Sequence, residues 1–186
     1  MRLLIIAIVA IVAIVAIVLW LKGGSMSLTS SAFKDGGRIP EKYTIDGGSV
    51  SPPLRWGEQA RDTKGFVLIM DDLDVPKEMG GRFIHWMVYD IPAGTTEFKE
   101  GKVPTGAKVL PNDYAKFGMV HFAQYGPPWP PTPDHRYRFT LYAVKTNSLP
   151  PTTTYEELLK VTLENKLGSA QLIGIYGPAK TPMPKQ

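Results

Sequence analysis

Three short segments carry the side chains of this chain that could do chemistry. Each places a carboxylate or an imidazole beside a proline or an aromatic residue, and they span 71–76, 83–86 and 126–137. Their polar members are two acids, two histidines and one tyrosine: Asp72, Asp74, His85, His135 and Tyr137. Such a set can ligate a metal ion, act as a general acid and base, or hydrogen-bond a small ligand. Because prolines and adjacent acids fit loop ends better than strand interiors, we expect all three segments to meet at one rim of a β fold.

Three predicted strands would position these segments. Residues 65–70 form a continuous apolar run, which indicates a strand that is buried on both faces and ends at the acidic segment. Residues 85–91 predict a second strand. Residues 136–144 predict a third, whose strict alternation places Tyr137 on its apolar face. We therefore expect His135 and Tyr137 to point the same way.

The spacing of these residues gives little support to a metal site or a nucleophile. The three histidines are far apart, at positions 85, 121 and 135, and no His-Glu-x-x-His pattern is present. The chain has no Gly-x-Ser-x-Gly elbow and no cysteine. Each acid or histidine alone could simply cap a turn, but the coincidence of three segments favours a pocket. We expect it to hold no metal, no cofactor and no catalytic residue.

The pocket would suit a ligand with both anionic and polar groups. His85, His135 and Tyr137 can donate hydrogen bonds to an anion, and backbone N–H groups around Gly126 can add more. The acids would repel an anion unless they are protonated or hold the histidines charged. A phosphate monoester that carries an amine or a hydroxyl therefore suits this pocket better than bare phosphate.

Residues 1–22 predict a transmembrane anchor. The stretch from Leu3 to Leu21 is apolar and uncharged, and at about 1.5 Å per residue such a helix approaches the roughly 30 Å hydrocarbon core of a bilayer. A cleaved signal peptide is the alternative, but its apolar stretch is usually about 7–15 residues long, and 23–27 is a poor cleavage site. Arg2 before the segment favours a single-pass protein with an extracytoplasmic domain.

Composition limits the remaining classes. The 186 residues suffice for one domain, and the net charge of +4 comes from scattered Lys and Arg without a basic run, so we expect no nucleic-acid partner. Without cysteine the fold uses no disulfide. We predict a Gly/Ser-rich linker over 23–30, a domain over 31–178 and a Pro-rich tail over 179–186.

One helix outside the anchor is predicted, over 154–167. Its expected features are a cap at Thr153 or Thr154, a capping-box partner at Glu156 or Glu157, an apolar stripe of Tyr155, Leu158, Leu159 and Leu163, and a stop at Gly168. A last strand is predicted over 170–176. Several short strands with Gly/Pro turns and one late helix favour a mainly-β sandwich.

Taken in order, these segments resemble the phosphatidylethanolamine-binding protein family, which includes the Raf kinase inhibitor protein, over about residues 31–176. The resemblance is carried by 39–44, Asp46-Gly47, 51–56, 72–76, His85-Trp86, Ile91-Pro92, Asn112-Asp113-Tyr114 and His135-Arg136-Tyr137. The last strand is similar to that of the prokaryotic, Raf kinase inhibitor-like branch. The resemblance implies a Greek-key β sandwich with one or two peripheral helices and a shallow pocket for phosphate or phospholipid headgroups.

The resemblance also implies which residues bind the ligand. They are Asp72, Asp74, His85, Gly126, Pro127, His135 and Tyr137. Enzymatic activity is not the rule in this family. Some members inhibit kinases or serine proteases, and prokaryotic members are often homodimers.

We therefore predict a membrane-anchored protein that recognises a small phosphorylated or anionic ligand. His85, His135 and Tyr137 would donate to the anion, and Asp72 and Asp74 would orient the imidazoles or take an amine. The alternative is an inhibitor of a protease or a kinase that acts through the loop 111–134, which is rich in Pro, Gly and aromatic residues. A phosphoester hydrolase that uses the same acids and histidines is a weaker third hypothesis.

Overall fold

The computed structural model describes residues 26–57, 59–131 and 133–182. Within these residues the chain forms nine strands and one α-helix, which precedes the last strand. They are β1 (Ser27–Thr29), β2 (Gly37–Arg38), β3 (Leu54–Gly57), β4 (Gly65–Asp72), β5 (Phe83–Pro92), β6 (Glu97–Phe98), β7 (Lys108–Leu110), β8 (His135–Val144), α1 (Tyr155–Asn165) and β9 (Lys166–Tyr176). Short 3-10 helices lie in the loops at Glu41–Tyr43, Lys77–Met79, Asp113–Phe117 and Val120–Phe122.

The strands form two sheets of unequal size. The larger has the order β2-β9-β8-β4-β5-β7, and the smaller has the order β1-β3-β6. In the larger sheet, β4, β5 and β7 are successive antiparallel neighbours, and β8 returns to pair with the free side of β4. This is the strand order of a Greek key, as the family resemblance implies.

The larger sheet is buried on both faces. One core lies between the two sheets and includes Trp56, Phe98 and Phe139. The second core lies on the other face, where Leu158 of α1 packs against Val67 of β4 and its neighbours. All eight residues of β4 are buried, which confirms the prediction made from its continuous apolar run.

Strand β8 alternates as predicted. Tyr137, Phe139, Leu141 and Ala143 all belong to the core between the sheets. His135 shares their face and is buried, whereas Arg136 is exposed. The sequence therefore correctly predicted that His135 and Tyr137 point the same way.

Helix α1 confirms the predicted cap and corrects the predicted stripe. The Thr154 hydroxyl accepts a hydrogen bond from the Glu157 backbone N–H, while the Glu157 carboxylate accepts one from the backbone N–H of Thr153. Leu158 is fully buried, but Leu163 is 51% exposed, and Thr162 is buried in its place. Thr162 lies four residues after Leu158, which keeps it on the same helix face.

The C-terminal boundary of α1 differs from the prediction. The helix ends at Asn165 and β9 begins at the next residue, Lys166, four residues earlier than the predicted start at residue 170. Gly168, the predicted helix stop, lies within β9. Gly168 pairs with Ala143 of β8 in the antiparallel ladder. Carbonyl groups at the helix end are satisfied without a glycine stop, because the Lys166 backbone N–H donates to the Leu163 carbonyl oxygen and the Lys145 N–H donates to that of Asn165.

The predicted membrane anchor, Leu3 to Leu21 within 1–22, lies outside the described residues. Of the residues described, none belongs to a helix that is long and apolar enough to cross a membrane. Strand β1, which falls in the predicted linker 23–30, pairs with β3. In the predicted tail, Ala179 donates its backbone N–H to the Pro130 carbonyl oxygen.

Candidate ligand-binding site

Three adjacent strands bring the polar segments together at one end of the larger sheet. Asp72, the last residue of β4, stands between Phe83, the first residue of β5, and Tyr137, the third residue of β8. The prediction that these segments share one rim is therefore confirmed by the strand register.

An irregularity in β5 places His85. In the pairing of β4 with β5, Trp86 faces Met70 and Ile84 faces Asp71, so His85 has no partner on β4. The extra residue makes this a β-bulge, a feature that bends a strand and redirects a side chain. The His85 ring consequently packs edge-on against the Tyr137 ring, with 5.1 Å between the ring centroids.

The hydrogen bonds of His85 fix its tautomer. Its Nδ1 lies 2.8 Å from the Gly126 carbonyl oxygen, which can only accept, so Nδ1 carries the proton. Burial lowers the pKa of His85 and outweighs the opposite effects of the Gly126 hydrogen bond and the Asp72 charge. The neutral ring thus presents the Nε2 lone pair, and no described residue bonds to it. This differs from the expected role as a donor, because neutral His85 accepts at Nε2.

Asp72 orients the second imidazole. Its Oδ2 atom accepts a hydrogen bond from His135 Nδ1 at 2.7 Å, and its Oδ1 atom accepts one from the Asp74 backbone N–H at 2.9 Å. Both side chains of the pair are buried. The carboxylate therefore holds the ring in one orientation and leaves Nε2 of His135 to meet a ligand.

Asp74 does not have its predicted role. Its carboxylate accepts hydrogen bonds from the Arg136 backbone N–H and from two nitrogens of the Arg136 guanidinium, at 2.6–2.9 Å. The bonds with Arg136 lower the pKa of Asp74 although partial burial opposes them. Asp74 hydrogen-bonds neither imidazole, and both of its oxygens accept from Arg136. Strand β8 places the Arg136 side chain on its exposed face, where the guanidinium binds Asp74.

Tyr137 brings an unsatisfied hydroxyl to the site. The residue is 0% exposed, and its Oη atom has no hydrogen-bond partner among the described residues. The Trp129 backbone N–H is near enough to lower the pKa of Tyr137 slightly, but burial and the Asp72 charge raise it far more. The hydroxyl therefore keeps its proton and can donate it. Buried polar groups are nearly always paired, so this one calls for an acceptor from outside the chain.

Gly126 and Pro127 form the backbone wall beside His85. The Gly126 N–H donates to the His85 carbonyl oxygen at 2.8 Å, and the Tyr114 hydroxyl donates to the Pro127 carbonyl oxygen at 2.8 Å. A Cβ atom at Gly126 would clash with the Tyr114 ring. Glycine is thus required by close approach, and Pro127 contributes its carbonyl to the wall.

Several residues of the site were not singled out as ligand-binding from the sequence. Asn112 caps the 3-10 helix Asp113–Phe117 and also donates its amide to the His85 carbonyl oxygen at 2.7 Å. The Phe83 ring lies 5.0 Å from the His85 ring and 4.9 Å from the Tyr114 ring, measured between centroids. The triplet Asn112-Asp113-Tyr114 was visible as a motif, but its contact with His85 depends on a fold that brings residues 27 positions apart together.

The segment after β9 closes the back of this wall. Trp129 is buried against the Tyr114 ring, with 6.4 Å between centroids, and its indole N–H donates to the Thr181 carbonyl oxygen at 2.7 Å. The Asp46 carboxylate accepts from the backbone N–H groups of Lys180 and Thr181. Part of the predicted tail is therefore fixed to the loop that carries Gly126.

The site combines a donor, two imidazole nitrogens and a buried carboxylate. Tyr137 donates, His85 Nε2 accepts, and Asp72 adds negative charge that acts on both His85 and Tyr137. Among the described residues, no group of three or more acids and histidines is arranged to hold a metal ion. The geometry suits a small ligand with both acceptor and donor atoms.

Comparisons with known proteins agree with this architecture. The family model described as phosphatidylethanolamine-binding protein matches residues 29–177. A UPF0098 protein of Methanothermobacter thermautotrophicus is 38% identical over 157 residues, which cover 81% of this chain and 98% of that protein. A Mycobacterium tuberculosis protein named as a lipoprotein, LppC, is 32% identical over 81% of this chain and 72% of its own length.

A solved structure has the same fold. The phosphatidylethanolamine-binding protein homologue CT736 of Chlamydia trachomatis superposes with a TM-score of 0.74 and is 34% identical, covering 83% of this chain and 99% of its own. The sandwich, the motif order and the family match lead to one conclusion. This chain belongs to the phosphatidylethanolamine-binding protein family.

Proposed function

We propose that this protein recognises a small anionic or phosphorylated ligand at the site formed by Asp72, His85, His135 and Tyr137. The observation that carries this proposal is the Tyr137 hydroxyl, which is buried and has no hydrogen-bond partner among the described residues. An isolated buried hydroxyl costs free energy, on the order of 1–3 kcal/mol, unless it finds an acceptor. A phosphate or carboxylate oxygen would supply one.

The mixture of groups favours a phosphate monoester over a bare dianion. The Asp72 carboxylate lies among these groups and would repel a fully charged phosphate. The neutral His85 Nε2 atom needs a donor, which a protonated phosphate oxygen, a hydroxyl or an amine of the ligand provides. A headgroup that joins phosphate to an amine or a hydroxyl meets both requirements.

The proposal includes attachment to a membrane. The apolar stretch from Leu3 to Leu21 is long enough for a single pass, and one relative of this chain is named as a lipoprotein. A single-pass anchor with an extracytoplasmic domain would hold the site near lipid headgroups.

The test is calorimetric titration of the full chain, in a non-ionic detergent, with phosphate, phosphoethanolamine and glycerophosphoethanolamine. Tyr137→Phe removes only the free donor and should weaken binding about tenfold. Tyr142→Phe is the matched control, because it removes a tyrosine hydroxyl from β8 on the other face of the sheet. Equal affinities for the two variants, or no heat with any of these ligands, would reject the proposed site.

A second candidate function is inhibition of a protease or a kinase through the loop 111–134. Phe117 is 53% exposed and Val120 is 72% exposed, so this loop offers apolar side chains to a partner. In an assay of inhibition against a panel of serine proteases and kinases, the double variant Phe117→Ser/Val120→Ser should lose inhibition while Tyr137→Phe keeps it. The reverse pattern would assign any inhibition to the pocket.

A further inference from the structure

A cavity of about 360 Å³ opens on the other side of the end of β4. It is lined by Asp71, Asp72, Leu73, Gly80, Gly81, Arg82 and Arg138. Asp71 follows Val67 and Ile69 in the alternation of β4, and both of these pack in the core beneath α1. Arg82 contacts Tyr155, the first residue of α1. The cavity therefore belongs to the helix-covered face of the larger sheet, whereas His135 and Tyr137 lie on the opposite face.

Two guanidinium groups line this cavity. Arg138 donates from Nε and Nη2 to the two oxygens of Asp71, at 3.0 and 2.6 Å. Arg82 donates from Nη1 to the Tyr155 hydroxyl at 3.0 Å, and its guanidinium carbon lies 4.3 Å from the centre of that ring. Within the described part of the chain, no carboxylate forms an ion pair with Arg82. The lining therefore holds two arginines and two aspartates, and Arg82 is the arginine of the two whose guanidinium has no described carboxylate partner.

The hydrogen-bonding capacity of the lining is unequal. Both oxygens of Asp71 accept from Arg138, and both oxygens of Asp72 accept from His135 and the Asp74 backbone. A guanidinium has five N–H donors, and the described contacts use only part of that number on each arginine. The cavity therefore offers spare N–H donors from two guanidinium groups, while every carboxylate oxygen in its lining already accepts one hydrogen bond from the chain.

Two glycines, which have no side chains, form one wall of the cavity. Gly80 and Gly81 have φ angles of 100° and 68°, which disfavour residues with a side chain. No heavy atom lies within 4 Å of the position that a Cβ atom of Gly80 would occupy. The wall next to Arg82 is thus open space that a small ligand can enter.

We propose that Arg82 and Arg138 form a second site, which binds a small oxyanion such as a phosphate or a carboxylate. Planar guanidinium groups match the paired oxygens of these anions. Asp72 borders both sites, but the two arginines lie on the opposite face of the sheet from His135 and Tyr137. Binding of an oxyanion by Arg82 and Arg138 therefore does not depend on the function proposed for the first site.

Amide chemical shifts of the isotopically labelled full chain, in a non-ionic detergent, test this proposal. Inorganic phosphate and acetate are titrated separately at constant ionic strength, with chloride as the balancing anion. Gly80 and Gly81 report on the arginine cavity, and Gly126 reports on the histidine site. Phosphate or acetate should shift the Gly80 and Gly81 signals to saturation, and the anion with the lower dissociation constant identifies the class.

Arg82→Gln is the decisive variant, because Arg82 is exposed and its loss leaves the Asp71–Arg138 pair intact. It should weaken binding at Gly80 and Gly81 about tenfold or more. Lys77→Gln is the control, since it removes the same charge from an exposed residue nearby that does not line the cavity. The proposal is overturned if Gly80 and Gly81 do not saturate, or if the two variants weaken binding equally.

Discussion

Asp71 and Asp72 are neighbours in the chain, but they occupy different environments. Both are nearly inaccessible, with 3% and 4% of their surface exposed. Asp71 pairs with the guanidinium of Arg138 through both of its oxygens, whereas Asp72 pairs with the imidazole of His135 through one oxygen and a single ring nitrogen. One strand end therefore holds a pair joined by two hydrogen bonds on one face and a pair joined by one hydrogen bond on the other.

The two pairs have different roles: the Asp71–Arg138 pair supports the structure, and the Asp72–His135 pair serves the proposed ligand recognition. A bidentate pair with arginine fixes the end of β4 against β8, and both oxygens of the carboxylate are used in holding that one partner. A pair with histidine holds the ring by one nitrogen and leaves the other available. The order of these two adjacent acids thus decides which face of the sheet carries the histidine that is available to a ligand.

Breaking the Asp71–Arg138 pair should have the largest effect on stability. Arg138→Leu leaves the Asp71 carboxylate buried without a charged partner, and we expect a loss of about 2–3 kcal/mol in the free energy of unfolding, since Arg138 is partly exposed. Urea unfolding at pH 7 measures this. The double variant Arg138→Leu/Asp71→Leu should recover most of the loss. If it recovers none, the pair is not the cause.

Breaking the Asp72–His135 pair should cost less stability and more ligand affinity. His135→Leu removes one hydrogen bond from Asp72 and leaves the one from the Asp74 backbone N–H, so we expect a loss of about 1–2 kcal/mol in the free energy of unfolding. Affinity for phosphoethanolamine should fall at least about tenfold, because the Nε2 contact is lost. Calorimetry and urea unfolding of the same sample separate the two effects. Unchanged affinity would remove His135 from the site.

The second histidine should make stability depend on pH in a defined direction. Burial lowers the pKa of His85, so below the ordinary histidine pKa of about 6.5 the unfolded chain binds a proton that the folded chain does not. Stability should therefore fall as the pH drops below about 6.5, by at most about 1.4 kcal/mol per pH unit from this group. Urea unfolding at a series of pH values from 7.5 to 5 measures this, and the slope of the unfolding free energy against pH should be smaller for His85→Gln than for the parent.

His121→Gln is the control for that measurement. His121 is exposed, so its removal should leave the slope unchanged. A parent slope that persists in His85→Gln would mean that other groups cause the pH dependence.

The smallest effect is expected at Asp74. Its pair with Arg136 is largely exposed on the arginine side, so Asp74→Asn should cost about 0.5–1 kcal/mol or less in the free energy of unfolding. Ligand affinity should stay within about twofold of the parent, because Asp74 bonds neither imidazole. A large loss of affinity in the calorimeter would restore Asp74 to the site.

The parts of this molecule that were predictable from the sequence depend on periodicity. The apolar run of β4 and the alternation of β8 report burial directly, because side chains in a strand change face at every residue. The cap of α1 was equally visible, since Thr154 and Glu157 interact within one turn. These features need only local information.

The features that the sequence did not reveal depend on partners distant in the chain. Arg136 and Arg138 take two acids out of the solvent, but the two acids lie more than sixty positions earlier. The bulge at His85 exists only relative to β4, and the Gly126 carbonyl that decides which ring nitrogen is free lies 41 positions later. The sequence places Leu163 in the stripe because it is apolar and lies at helical spacing from Leu159, whereas the packing beneath α1 buries the polar Thr162 instead.

The direct junction between α1 and β9 limits how this protein can be altered. No loop residue separates Asn165 from Lys166, so an inserted residue would have no slack to occupy. It would instead shift β9 by one position along β8 and exchange the two faces of the strand, which would turn Leu172 and Tyr176 away from the core. Engineered fusions and labels therefore belong in the surface loops and not at this junction.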